Sequence, residues 1–197
     1  IDWNVEGSYG ESENIQTIKG YTLQSRFRQG SLVDGTLANP VCQNTANGCV
    51  PINLFGPEGS ISPAAADFLS ENSSTTNRTS LSQVRGIISG DLGFASPGAV
   101  QPIGFALGAE YRKYKAQQAS DLLAKTPGEL GGAGGAAPDI DGGYDVYEAY
   151  AEIVAPLIED KPFFESLTLE AGIRYSDYSI EGGTGYNTTT WKAGGSW

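Results

Sequence analysis

Strict alternation of apolar and polar residues is the feature that most limits how this chain can fold. In the segment 169–179, LEAGIRYSDYS, every second residue is apolar, and Glu170 and Arg174 lie among the residues between. Successive side chains of a β-strand point to opposite faces, so a period of two predicts a strand with one apolar and one polar face. The pattern recurs, more weakly in the first case, at 1–10, 82–92, 103–115, 144–157, 167–179 and 190–197.

The connections between these segments alternate in length. Residues 10–80, 116–143 and 180–188 form long or intermediate loops, whereas 93–101 and 158–166 form short turns. In an antiparallel sheet the three longer loops share one end, which is typical of outer-membrane barrels.

The longer loops carry their own local signals. Ser62 followed by Pro63 and an alanine-rich run predicts the start of a short helix. A second helix is predicted over 21–30, ended by Gly30, and the glycine-rich stretch 128–143 is predicted to be a flexible tip.

One aromatic residue stands at the long-loop end of each apolar stripe. These five residues are Tyr9, Tyr111, Tyr147, Tyr175 and Trp191. The stripes at 103–111 and 167–175 have the length of about 9 to 11 residues that a tilted strand needs to cross a bilayer. We therefore predict an all-β fold: an antiparallel transmembrane β-barrel segment of about six strands, with long extracellular loops that carry short helices. The five aromatic residues are predicted to form a girdle at the level of the lipid headgroups. A soluble sandwich with its apolar faces packed inward also fits the alternation alone.

Charges of both signs fall on the polar faces of these segments. They are Glu110, Arg112, Glu148, Glu152, Glu170, Arg174 and Lys192. We expect them to pair across neighbouring strands and, in a barrel, to line a water-filled lumen. An enzymatic role is not expected: the chain has no histidine for a Ser/His/Asp set. Glu148 and Glu152 would lie about 13 Å apart along one strand, too far for a pair of glycosidase carboxylates.

Composition excludes further classes. A formal net charge of −11 leaves no basic patch for nucleic acid, and no apolar run reaches the about 18 residues of a transmembrane helix. Cys42 and Cys49 are predicted to form a small disulfide loop, with two free thiols as the alternative. With no histidine and no further cysteine, zinc lacks ligands. Asp139 and Asp141 suit either a calcium ligand pair or, as we prefer, a solvated turn, so no metal is expected.

Several stretches together resemble a known family. They are CVPINLFGPEGSISPAAADFL, GFALGAEYR, YDVYEAYAEIVAPLIEDKPFFESLTLEAGIRYSDYS and TWKAGGSW. They resemble the barrel of TonB-dependent outer-membrane receptors, most closely those of alphaproteobacteria. The most specific part is the pattern Glu148, Tyr150, Glu152, Pro156 and Leu157, followed by RYSDYS.

The resemblance implies a bacterial outer-membrane location and active import of a scarce small nutrient, such as a siderophore or an oligosaccharide, without a cofactor. Family members have a plug domain and about 22 strands, so residues 1–197 are expected to be one part of a longer receptor. Its implied partners are outer-membrane lipid, the remaining strands, the plug, and the TonB complex acting through that plug. Ligand would be captured by the loops, where we single out Asn44, Asn47, Asn53, Phe55, Asp139 and Asp141. A passive or purely structural barrel, such as an adhesin or phage-binding surface, is the alternative.

Overall fold

The computed structural model describes residues 1–197, the side chain of Phe164 excepted. Eight strands account for most of the chain: β1 Asp2–Thr22, β2 Val33–Thr36, β3 Asn39–Cys42, β4 Ser70–Ala95, β5 Pro102–Ser120, β6 Ile140–Lys161, β7 Phe164–Ile180 and β8 Tyr186–Ser196. Three short helices complete it: α1 Gln24–Ser31, α2 Pro63–Leu69 and α3 Leu122–Lys125. None of the helices in the described part of the chain combines the length and the apolarity that crossing a bilayer requires.

The six long strands form one sheet in the order β1-β4-β5-β6-β7-β8, and β2 pairs with β3 in a separate hairpin. Strands β6 and β7 are antiparallel, with Tyr150 opposite Arg174, and so are β7 and β8, with Gly172 opposite Lys192. Each long strand therefore pairs with its neighbour along the chain, and β1 and β8 are the edge strands. The predicted all-β, antiparallel fold of about six strands is confirmed.

The chain divides into two compact units, which are described separately. The first contains 1–12, 79–116 and 142–197, and the second contains 13–78 and 117–141.

Burial in the first unit is the reverse of that in a soluble sheet protein. On the apolar face, Ile173 is 54% exposed and Trp191 is 79% exposed. On the polar face, Val146 is 1% exposed and Glu148 is 6% exposed. No second sheet covers the apolar stripe among the described residues of this unit. A sandwich requires the opposite distribution, because its apolar faces pack against each other.

In the second unit, the start of α2 follows the predicted signal. The Ser62 hydroxyl accepts a hydrogen bond from the Ala65 backbone N–H at 3.2 Å, and Pro63 is the first helical residue. Helix α1 runs one residue past the predicted end at Gly30. Glycine is required at position 30 because a Cβ there would lie 2.6 Å from Ile52 Cδ1 and 2.9 Å from the Val50 carbonyl oxygen.

A small apolar core joins α1 and α2 in the second unit. Its buried members are Ile52, Phe68 and Leu69, with Phe27, Cys49 and Val50 packed against them. The segment that carries Cys49 and Val50 is thereby fixed against α1 and α2, so the long excursion has a hydrophobic centre of its own.

The strands extend well beyond the predicted boundaries, so the loop limits were wrong. The first excursion outside the main sheet is 23–69 rather than 10–80, the second loop is 121–139 rather than 116–143, and the third is 181–185 rather than 180–188. The hairpin β2–β3 and helix α3 were not predicted, and the end of the glycine-rich stretch belongs to β6. The apolar alternation ends where the strands become polar on both faces. The backbone hydrogen bonds between strands do not depend on that alternation, so the strands continue beyond it.

Candidate functional site

The polar face of the first unit carries a charge network centred on Glu148. The Arg112 guanidinium donates to one carboxylate oxygen of this buried side chain, and the Ser176 hydroxyl donates to the other at 2.5 Å. Arg174 Nη1 lies 3.9 Å from Glu148 Oε2, and Arg112 Nε lies 3.1 Å from Glu110 Oε1. Three adjacent strands thus contribute two carboxylates and two guanidinium groups to one network.

A second group of side chains continues this face toward β8. Lys192 Nζ lies 3.2 Å from Glu152 Oε2, and the Arg174 guanidinium lies over the Tyr150 ring at 5.0 Å from its centroid. The Tyr150 ring occupies the space above Gly108, where a Cβ would come within 2.2 Å of the ring carbon Cζ.

Glu170 lies beside Gly194, where a Cβ would meet Glu170 Oε1 at 2.8 Å. The structure therefore brings six of the seven sequence-predicted charges into two ionic groups and places Glu170 against a glycine.

The five predicted girdle aromatics lie on the opposite, apolar face. The Tyr111 and Tyr147 rings are in contact, with centroids 4.7 Å apart. Tyr175 pairs with Ala149, and Trp191 pairs with Ile173.

A row of four tyrosines on the polar face was missed by sequence reasoning. Centroids of Tyr114 and Tyr144 are 4.8 Å apart, those of Tyr144 and Tyr178 are 6.4 Å apart, and those of Tyr178 and Tyr186 are 4.7 Å apart. We call this row the tyrosine ladder; it crosses β5, β6, β7 and β8. A signal was present, since Tyr114, Tyr144 and Tyr178 each lie three residues from a girdle tyrosine, and an odd offset places them on the other face.

A hollow of about 690 Å³ borders this ladder within the first unit. Its lining includes Gly10, Ser12, Thr79, Leu81, Tyr114 and Tyr144. The two tyrosines are the only aromatic residues in that lining, and most of the others are small.

In the second unit, Cys42 and Cys49 form a disulfide, with Cα atoms 6.3 Å apart, as predicted. Asn44 accepts a hydrogen bond from the Ala46 backbone N–H at 2.9 Å, so its side chain stabilises the turn inside the disulfide loop. Asn47, in the same loop, has a left-handed φ of 57°, which asparagine tolerates better than most residues. Sequence reasoning proposed both asparagines as ligand contacts, and the structure gives Asn44 a local role as well.

A second hollow, of about 410 Å³, lies between the β2–β3 hairpin and residues 51–55. Asn53 and Phe55 belong to its lining, and the Phe55 side chain is 98% exposed. The Asn53 carboxamide oxygen accepts from the Phe55 backbone N–H at 3.1 Å. Of the six loop residues proposed as ligand contacts, these two therefore share one cavity.

The other two are Asp139, which stabilises the second loop, and Asp141, which lies on β6. Asp139 accepts from Lys125 Nζ at 2.8 Å and from the Ser120 backbone N–H at 2.9 Å, and these interactions lower its pKa. Asp141 accepts from Gln117 Nε2 at 3.2 Å. In the part of the chain that the structure describes, no group of three metal-ligating side chains is found.

Asp121 anchors the same loop at the start of α3. Its carboxylate accepts from the backbone N–H groups of Ala124 at 2.8 Å and Ser74 at 2.6 Å, and from the Ser73 hydroxyl at 3.0 Å. Burial acts to raise the pKa of Asp121, but these hydrogen bonds outweigh burial and the pKa is lowered.

An open antiparallel sheet with an exposed apolar face and a charged, partly buried opposite face is the architecture of a wall segment of a transmembrane β-barrel. The comparison with protein families agrees. Residues 2–197 match the family described as TonB dependent receptor-like, beta-barrel, and the chain therefore belongs to that family, which is one of outer-membrane transport receptors. No curated protein and no solved structure matches the chain.

Proposed function

We propose that residues 1–197 form part of the barrel wall of an outer-membrane receptor that imports a scarce small-molecule nutrient with energy from the TonB complex. The remaining strands and the plug would come from other parts of the receptor. The observation that carries this proposal is the reversed burial of the first unit, together with membership in the receptor family.

The exposed apolar stripe fits contact with lipid acyl chains. Every backbone polar group in a bilayer must be satisfied within the protein, and paired antiparallel strands meet that requirement except at the edges. The edge strands β1 and β8 would therefore pair with the missing strands of the receptor. Tyr9, Tyr111, Tyr147, Tyr175 and Trp191 would then lie at the headgroup level.

The opposite face fits the lining of a water-filled lumen. Ion pairs such as Lys192–Glu152 would be costly against lipid but are tolerated against water. The buried Glu148 network would fix the register of β5, β6 and β7 on the inside of the wall, because its partners come from both neighbouring strands.

The loop regions 23–69 and 121–139 would capture the ligand. The disulfide and the apolar core reduce the freedom of the first loop, which lowers the entropy lost when a ligand binds. Asn44, Asn47, Asn53, Phe55, Asp139 and Asp141 stay as the proposed contact residues, with Phe55 and Asn53 as the pair that shares a cavity. The high acidity of the chain disfavours a strongly anionic ligand.

Growth of the host on limiting nutrient tests the proposal. The gene of the full receptor is deleted and restored in otherwise identical strains with and without a functional TonB complex, and growth is screened across scarce nutrients. We expect at least one nutrient whose use requires both the receptor and TonB. Receptor-dependent use that persists without TonB would indicate a passive barrel, and a receptor absent from the outer membrane would contradict the location.

A further inference from the structure

The tyrosine ladder has two ends, and they differ in their surroundings. Tyr144 and Tyr178 each have a neighbouring ring on both sides, one stacked and one tilted, whereas Tyr114 and Tyr186 have a ring on one side. Tyr186 lies on the edge strand β8. Tyr114 lies on β5, and on its other side, toward β4, the hollow of about 690 Å³ begins.

The hollow exists because the residues that follow the ladder are short. Toward β4 and β1 the lining changes from tyrosines to Leu81, Thr79, Ser12 and Gly10. The row of tyrosine rings therefore ends at the hollow: the Tyr114 ring forms one side of the hollow, and small side chains form its floor. The volume of the hollow lies in the range of about 300 to 1,000 Å³ that is usual for ligand sites.

The chemistry of the lining selects among ligand classes. Ser12 and Thr79, which share the face of Tyr114 by residue parity, supply hydroxyl groups that both donate and accept hydrogen bonds. The two charged residues of the lining, Glu11 and Lys115, alternate with Ser12 and Tyr114 and therefore point to the opposite face, so no charged side chain of the lining lies on the tyrosine side. A matching ligand is uncharged, carries many hydroxyl groups, and has a flat C–H-rich face that can pack on an aromatic ring.

We propose that this hollow is a subsite for one pyranose ring of a neutral oligosaccharide, which packs against Tyr114 and hydrogen-bonds to hydroxyl side chains of the floor. This inference rests on the proposed function, because it names the substrate class of the same transport wall. The ladder then has a second role: Tyr144 stacks on Tyr114 and holds its ring in place, and Tyr178 lies beside Tyr144 at a tilted angle.

The test uses the full receptor, purified in detergent, and three neutral probes: maltohexaose, cellohexaose and xylohexaose. Binding is measured by calorimetric titration for the wild type and for Y114A, Y114F and Y186A. Y186A is the matched control, because it removes an equally stacked end ring with a centroid distance of 4.7 Å, against 4.8 Å at the Tyr114 end. Heat-modifiable migration on gels checks that each variant is folded, and Y114L replaces Y114A if the alanine variant does not fold.

We expect at least one probe to bind the wild type. Y114A removes the apolar ring face against which the C–H face of the pyranose packs, so it should weaken binding between about fivefold and a hundredfold. Y114F and Y186A should stay within about threefold of the wild type. Equal losses in Y114A and Y186A would show that the ladder only stiffens the sheet, and would overturn the inference.

Failure of the subsite and failure of the proposed function give different results. If no probe binds the wild type while TonB-dependent use of some nutrient persists, the subsite is refuted and the transport function stands. If TonB-dependent use is absent as well, the transport function itself is refuted.

Discussion

Arginine placed on the apolar face gives the sharpest test of which face meets lipid. Ile173 is 54% exposed and pairs with Ala151 and Trp191, so an arginine there meets no steric obstacle from a covering layer. On the lipid face of a barrel, arginine costs about 2 to 4 kcal/mol at the bilayer midplane and less near the interface. Within the apolar stripe 167–175, Ile173 lies midway between the central residue and Tyr175 at the headgroup end. I173R should therefore cost about 2 kcal/mol, the lower end of this range.

The matched control is T190R on the polar face. Thr190 is exposed and pairs with Arg174, next to the Ile173–Trp191 pair, so the two substitutions lie at nearly the same depth. An added arginine there lies opposite Arg174 and two residues from Lys192 on the same face, and because these like charges are exposed to water we expect a cost of no more than about 1 kcal/mol. Gly172 is unsuitable as the control position, because a Cβ there would lie 2.9 Å from Lys192 Cε.

The measurement is equilibrium unfolding of the full receptor in phospholipid vesicles by denaturant, followed by tryptophan fluorescence. A free-energy loss of about 2 kcal/mol in I173R together with a small loss in T190R supports lipid contact on the apolar face. Equal losses, or a larger loss in T190R, would refute the assignment of the two faces.

Three further predictions follow from the contacts. E148Q should destabilise the folded receptor by about 3 kcal/mol, because it removes the charge of a buried carboxylate that faces two arginines. In the same unfolding assay E152Q, which changes an exposed ion pair, should cost less than about 1 kcal/mol. Similar costs for the two variants would contradict the burial of Glu148. C42S should make the excursion 23–69 more sensitive to limited proteolysis, since a disulfide that closes so short a loop stabilises it by about 2 to 3 kcal/mol. An unchanged digestion pattern would show that the apolar core alone orders the loop. Because the pKa of Asp121 is lowered, its contribution to loop stability is complete above the unfolded pKa of about 3.9 and is lost as pH falls through the folded pKa. Hydrogen exchange of the 121–139 loop should therefore accelerate below about pH 4 in the wild type. The acceleration should be smaller in D121N, which lacks the carboxylate.

Much of the fold follows from local patterns that the sequence carries by itself. The alternation predicted the six strands of the main sheet and the face on which each of their residues lies, because side-chain direction in a strand depends only on residue parity. The N-cap at Ser62 and the Cys42–Cys49 disulfide are equally local, since both join residues within a few positions of each other.

What the tertiary structure decided depends on which residues of different strands become neighbours. The lengths of the strands exceed the apolar stripes, because backbone pairing continues through residues that are polar on both faces, as in the Glu13–Arg78 and Thr17–Ser74 contacts between β1 and β4. Among seven charges of similar appearance in the sequence, only cross-strand register makes Glu148 a buried centre and places Glu170 against Gly194.

The tyrosine ladder shows the same division. Its four members are separated along the chain by 30, 34 and 8 positions, and parity alone places each of them on the polar face. Their alignment in one row, and the hollow at its Tyr114 end, result from the stagger of β5, β6, β7 and β8 relative to one another. Stagger is set by hydrogen bonding between strands, a non-local interaction that no single segment of the sequence encodes.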